Sequence, residues 1–201
     1  RIPVGLWWGG ADVEVLAAHK LGGPKGVGAL IVKRGLDVPA LSLGGGQEMG
    51  RRSGTENIIG IVGFGAAIEA ASRDLASGLW EQVEKLRNIL EISLEASAKK
   101  TIFVGKDRAR LPNTSCFISE GWKGETQVMQ MDLAGFAISA GSACSSGKVR
   151  ESRVLRAMGF DERQASSAVR VSLGPETTEE QVLRFSEAWL NKEKKFRARA
   201  A

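Results

Sequence analysis

"AAHKLGGPKGVG", residues 17–28, is the stretch on which the reading of the fold turns. The apolar run "VEVLAAHK" (13–20) breaks at Gly22, Gly23, Pro24 and Gly26, and a strand-like run, "GALIVKRG" (28–35), follows. Short apolar segments alternating with glycine clusters are the pattern of an α/β chain, with strand ends and loops in close succession. The glycines and the proline require a tight turn where the backbone can approach a ligand, and Lys20 enters that turn with His19 beside it. By its local chemistry the turn can carry a Schiff-base lysine, cradle a phosphate, or simply reverse the chain. The P-loop spacing GxxxxGK[ST] is absent, as is GxGxxG.

Downstream, "GGGQEMGRRSGTEN" (44–57) gathers backbone N–H groups, hydroxyls and two arginines before a long helical pattern, an arrangement suited to an anion. Thr55 is the best-placed hydroxyl, and Ser53 or Thr55 is also expected to cap the helix. Residues 57–98 read as two helices divided near residues 76–78, the second with Leu79, Val83, Leu86 and Leu90 on one stripe. Two strands, "TIFVG" and "NTSCFIS", a helix ending at Gly135, a short strand "FAIS", a helix "ESRVLRAMG", a strand "SSAVRVSLG" and a C-terminal helix capped at Thr177 or Thr178 complete the reading. The alternation after residue 80 predicts a compact α+β domain, with the division at residues 76/77.

The 201 residues are 43% hydrophobic and 25% charged, enough to bury a core of one or two domains and to exclude a disordered chain. No apolar run is long enough to span a bilayer and no signal pattern opens the chain, so a cytoplasmic location without a membrane partner is expected. The chain starts on Arg1 at what reads as a strand end, and a preceding portion is expected. The net charge of +5 is dispersed apart from "KEKKFRAR" (192–199), which reads as a solvated helical tail, so no nucleic-acid partner is expected. One histidine and two cysteines without CxxC spacing predict no metal site.

The two cysteines have opposite surroundings. Cys116 lies in the strand-like "NTSCFIS" and reads as a packed, inert thiol. Cys144 lies in "SAGSACSSGK" (139–148), among serines and glycines that suit an accessible loop, with Lys148 and Arg150 supplying a positive field that favours thiolate. A nucleophilic role for Cys144 follows. Arg170 interrupts the apolar strand "SSAVRVSLG" and needs a carboxylate or phosphate partner if buried. From that stretch alone, a structural ion pair and substrate binding stand equal.

Four blocks, "AHKLGGPKGVGAL", "GGGQEMGRRSGTEN", "SAGSACSSGKVRESRVLRAMG" and "SSAVRVSLGPETTEEQ", in that order, resemble the NifS/IscS-like cysteine desulfurases of the class V aminotransferase group. The resemblance runs over essentially the whole chain. It implies the C-terminal part of a pyridoxal-phosphate-dependent transferase of the aspartate aminotransferase type: residues 1–76 would end the large domain, and residues 77–201 would form the small α+β domain with the cysteine loop. It implies that Lys20 holds pyridoxal 5'-phosphate and moves protons, that His19 and Thr55 contact its phosphate, Thr55 across a homodimer, that Arg170 pairs with the carboxylate of L-cysteine, and that Cys144 becomes the persulfide. The implied partner is a sulfur acceptor or iron-sulfur scaffold protein. The usual serine three residues before the lysine is Ala17 here, and the family's N-terminal half, with its ring-stacking aromatic and its carboxylate to the pyridine nitrogen, has no counterpart in these residues. Competing readings are a selenocysteine lyase or other class V enzyme, a non-catalytic truncated binding module, and a nucleotide-binding protein using the two glycine-rich loops.

Overall fold

The computed structural model describes residues 2–3, 10–141 and 152–200. The strand end expected at the N-terminus falls mainly on residues 4–9, outside the described residues. The chain divides into two compact units, Ile2–Ser77 and Gly78–Ala201.

In the first unit, β1 (Val13–Ala17) and β2 (Gly28–Val32) form a two-stranded antiparallel ribbon, in register from Val13 opposite Val32 to Ala17 opposite Gly28. Helix α1 (Ile58–Ala76) is capped by Asn57, whose Oδ1 accepts from the Gly60 N–H at 3.1 Å. The cap was expected two or four residues earlier, but the Ser53 hydroxyl donates instead to the Leu43 carbonyl at 3.0 Å. The helix stops at Ser77, and Gly78 follows at φ 75°, a left-handed conformation that glycine adopts without steric cost.

The second unit runs α2 (Leu79–Ser97), β3 (Thr101–Phe103), β4 (Thr114–Ser119), α3 (Gly124–Asp132), β5 (Ser139–Ala140), α4 (Arg153–Ala157), α5 (Glu162–Ser166), β6 (Ala168–Ser172) and α6 (Glu179–Ala200). Its sheet has the order β3-β4-β6-β5, and every pair is antiparallel. Helix α3 ends at Asp132, short of the expected Gly135, which sits instead in the following turn at φ 84°. The unanticipated α5 is held by a capping box between Asp161 and Gln164. A second box, Thr178 with Gln181, opens α6, and Thr177 instead accepts from the Gly174 N–H.

Strand alternation sorts the sheet into two faces. Phe117, Val169 and Val171 point into the main core with Leu90 and Leu94 of α2 and Val182, Phe185 and Trp189 of α6. Each large apolar side chain buried there contributes about 1.5–3 kcal/mol. Aromatic edges complete the packing: Trp189 meets Phe117 edge-on at 5.3 Å, and Trp122 lies 5.4 Å from Trp189 at 39°. Gln127, fully buried, donates to the Trp122 and Ser167 carbonyls and accepts from Trp189 Nε1 at 3.0 Å, so a polar group crosses this core with its bonds made. The opposite face packs Ile118 and Ala168 against Val104, Leu155 of α4 and Ala165 of α5, with Cys116 at its margin.

A buried ion pair ties α2 to the sheet. Arg110 donates to both Glu91 carboxylate oxygens at 2.8 and 3.0 Å, and Ser115 Oγ adds a bond of 2.6 Å from β4. Burial alone would raise the Glu91 pKa, but the bonds from Arg110 and Ser115 outweigh it and hold the carboxyl below its ordinary value. For Cys116, burial pushes the thiol up and the Arg170 charge offsets part of that rise.

Removing one partner from the Glu91–Arg110 pair leaves a buried charge, so Arg110→Ala should lower stability by about 3 kcal/mol at neutral pH in urea unfolding. Because the folded-state pKa of Glu91 is depressed, its contribution is complete above the ordinary value of 4.5 and is lost as pH falls through the lower folded value. The stability difference between wild type and Glu91→Gln should therefore be constant near neutrality and shrink below pH 4.5; a gap that widens on acidification would contradict the assignment. Alkylation of Cys116 by iodoacetamide, followed by peptide mass spectrometry, should rise only above the ordinary thiol value of 9.0, and Arg170→Ala should move that rise to still higher pH.

Candidate active site

The turn that carries the lysine is closed by its own backbone. Strand β1 runs into a 3-10 turn, Ala18–Leu21, and the Gly22 and Gly23 N–H groups both donate to the Ala18 carbonyl. Gly22 stands at φ 91°, where a side chain would be strained, and the Ala18 N–H closes the base of the loop on the Val27 carbonyl at 3.1 Å. Ala18 is fully buried, whereas His19 and Lys20 are exposed. Among the described residues the Lys20 ammonium has no carboxylate partner. A primary amine held at the end of a ribbon by a buried neighbour is available to an electrophile.

The second loop of the same unit is laced by side chains. Gln47 Oε1 accepts from the Gly54 N–H at 3.2 Å, and Arg52 Nη1 donates to the carbonyls of Gly54 at 2.9 Å and Thr55 at 3.3 Å. Glu48, Met49 and Gly50 are all left-handed, at φ 51°, 56° and 77°; for the first two this costs roughly 1–2 kcal/mol each, offset by those bonds. The lacing presents Thr55 to solvent directly before the Asn57 cap. A cleft of about 720 Å³ opens between β2 and this loop, with Phe64, Ile61 and Leu30 among its apolar lining and Arg51 and Arg52 among its charged groups. Neither Lys20 nor Thr55 lines it.

In the second unit Arg170 is central in β6, directly opposite Cys116 on β4 and Ser139 on β5. Val169 and Val171 go into the core and Arg170 points away from it, exposed. Among the described residues no carboxylate pairs with Arg170, and both alternatives left open by the sequence stand. Its guanidinium is available for an external carboxylate. No local signal marks Cys116 as its cross-strand neighbour, since register is a non-local property. Strand β5 leads directly to residues 142–151, so Cys144, Lys148 and Arg150 lie outside the described residues.

Lys20, His19 and Thr55 therefore share one unit, and Arg170 and the chain leading to Cys144 belong to the other. Among the described residues no cluster of three or more metal-ligating side chains converges, and no helix is long and apolar enough to cross a membrane.

Over residues 2–185 the sequence matches the family described as aminotransferase class-V. It is 42% identical over 187 residues to a cysteine desulfurase of Cereibacter sphaeroides, covering 93% of this chain and 47% of the relative. It is 41% identical over 182 residues to a cysteine desulfurase of Klebsiella pneumoniae, covering 90% of this chain and 45% of that one. Among solved structures, a NifS-like protein from Rickettsia africae superposes with a TM-score of 0.84 at 31% identity, over 97% of this chain and 51% of the other. A second NifS-like protein superposes with a TM-score of 0.79 at 34% identity, over 98% of this chain and 49% of the other. The chain thus spans about half the length of the relatives it matches. The closed lysine turn and the outward arginine sit on an α/β framework that superposes on NifS-like structures, and the chain belongs to the class-V aminotransferase family.

Proposed function

We propose that this chain is the C-terminal part of a pyridoxal-phosphate-dependent cysteine desulfurase, with residues 1–76 completing the large domain and residues 77–201 forming the small domain. The observation that carries the reading is that one chain, whose relatives bear that name, holds both an accessible lysine on a closed glycine turn and an outward arginine without a carboxylate partner among the described residues.

The donor set fits the cofactor. The Lys20 amine matches an aldehyde, and the exposed His19 and Thr55 are groups that bind phosphate. Ala17 offers a methyl where the family has a serine hydroxyl, so the phosphate is held with one bond fewer on that side. When bound, pyridoxal phosphate supplies an electron sink that loosens bonds at the α-carbon of an amino acid. Arg170 binds the substrate carboxylate through its fork of donors. Lys20, whose amine would hold the cofactor aldehyde, would also accept and return protons at the α-carbon of the substrate. Cys144 thiolate attacks the substrate sulfur; a sulfur–sulfur bond forms as the carbon–sulfur bond of L-cysteine breaks, leaving a persulfide on Cys144 and alanine as the other product.

The persulfide is passed to a sulfur acceptor or iron-sulfur scaffold protein in the cytoplasm. The exposed Ile58, Ile59 and Val62 of α1, with Leu41 and Leu43, support burial against further protein and hence a homodimer.

In the full-length protein, Cys144→Ser should abolish persulfide formation, read as the added sulfur mass on the residue-144 peptide, while cofactor absorption persists. Unchanged alanine production by that variant would remove Cys144 as nucleophile and favour a lyase that needs no cysteine, such as one acting on selenocysteine. Borohydride reduction should trap the cofactor on Lys20, and a trapped peptide containing Lys25 instead would refute the lysine assignment. Arg170→Ala should raise KM for cysteine roughly tenfold or more with a smaller change in kcat; unaltered kinetics would make Arg170 structural.

A further inference from the structure

The Lys20 turn rests on the side of α1, and the contact is unusually close. A methyl group placed on Gly63 would lie 2.6 Å from Pro24 Cγ and 3.1 Å from Pro24 Cδ. One turn earlier, a methyl on Gly60 would meet the Asn57 cap and, at 3.2 Å, Val27 Cβ; one turn later, a methyl on Gly23 would meet Ala18 Cβ at 3.0 Å and Ala67 Cβ at 3.2 Å. Gly60, Gly63 and Ala67, spaced three and four apart, form one face of α1, and the segment from Gly23 to Val27 is laid along it. Gly65, on the same helix, has nothing within 4 Å of its added methyl, so small residues are not required along α1 as a whole.

This seat acts on the lysine because the loop between is stiff. The two N–H groups donating to the Ala18 carbonyl close residues 18–23 around Lys20, and Pro24, with its fixed φ, continues directly from that closure. A displacement of Pro24 is therefore passed to the turn, and the tip that carries the amine moves with it. Alanine at position 63 would favour the helix itself, by about 0.5–1 kcal/mol, so glycine there is maintained against local helix preference.

We infer that Gly63 is a positioning residue for the proposed cofactor lysine: the bare backbone of α1 at that point sets the height of the Lys20 turn through Pro24. The inference rests on the assignment of Lys20 made above. It adds to that assignment a residue 43 positions downstream that touches neither cofactor nor substrate.

The test uses cofactor-stripped full-length protein and added pyridoxal phosphate, following growth of the visible absorption band and borohydride trapping on the Lys20 peptide. Gly63→Ala should slow formation of the trapped linkage at least tenfold, since a misplacement of about 1 Å can cost a hundredfold. Adding Pro24→Ala to Gly63→Ala removes the contacting ring atoms and should restore the rate to within about twofold, a rescue that a general loss of stability would not give. Should Gly63→Ala fail to fold, Ala67→Val presses on the same segment at Gly23 without altering the turn's own residues, and the same slowing is expected. If the wild type traps on Lys20 and Gly63→Ala reacts at the same rate, or if Pro24→Ala gives no rescue, the positioning role is overturned while the lysine assignment stands. If the wild type does not trap on Lys20, the lysine assignment falls and this inference falls with it.

Discussion

The register between β4 and β6 is the constraint on which the second unit depends. With Phe117 opposite Val169 and Cys116 opposite Arg170, the strand period of two sends one set into the core and the other out of it. A slip of one residue would drive the Arg170 guanidinium among Leu90, Phe185 and Trp189 and expel two valines, a cost of many kcal/mol from an uncompensated buried charge. The apolar core therefore fixes the direction of Arg170, the proposed carboxylate-binding residue. The same pairing brings Ser115 under Glu91, so the ion pair of α2 reinforces the register from the same, core-facing side of the sheet.

The first unit solves a similar problem with backbone alone. Its lysine turn has few side chains to hold it and is fixed by the Ala18 carbonyl, the left-handed Gly22 and close approach to a helix that lacks side chains at the point of contact. The neighbouring loop uses side chains for the same end, with Gln47 and Arg52 binding backbone groups around Thr55. In both cases the residue proposed to contact the cofactor is exposed, and the residues that orient it are spent on backbone hydrogen bonds or packing.

The legibility of these features follows their range along the chain. The lysine turn could be read because glycine and proline act within a few residues, and the strand around Arg170 because its valines alternate. The order of the four blocks added the family, which local chemistry could not supply. What stayed hidden was non-local or degenerate. The cross-strand pairing of Cys116 with Arg170 depends on register. Helix α5 has only five residues, too few for a period. Ser53, Thr55 and Asn57 are all competent caps, and only the path of the loop selects the last. The helix after Gly124 ends three residues before Gly135 because the intervening turn, not the helix, uses that glycine's freedom.

The aromatic packing of the second unit has an optical consequence. Trp122 and Trp189 lie 5.4 Å apart and inclined at 39°, close enough for their indole transitions to mix, and in these 201 residues only Trp7, Trp8 and Trp80, and no tyrosine, absorb beside them. Because one ring belongs to the sheet-to-α3 connection and the other to α6, their exciton couplet in circular dichroism reports whether the C-terminal helix is docked. The folded state of this unit thus carries its own chromophoric gauge, readable without any label.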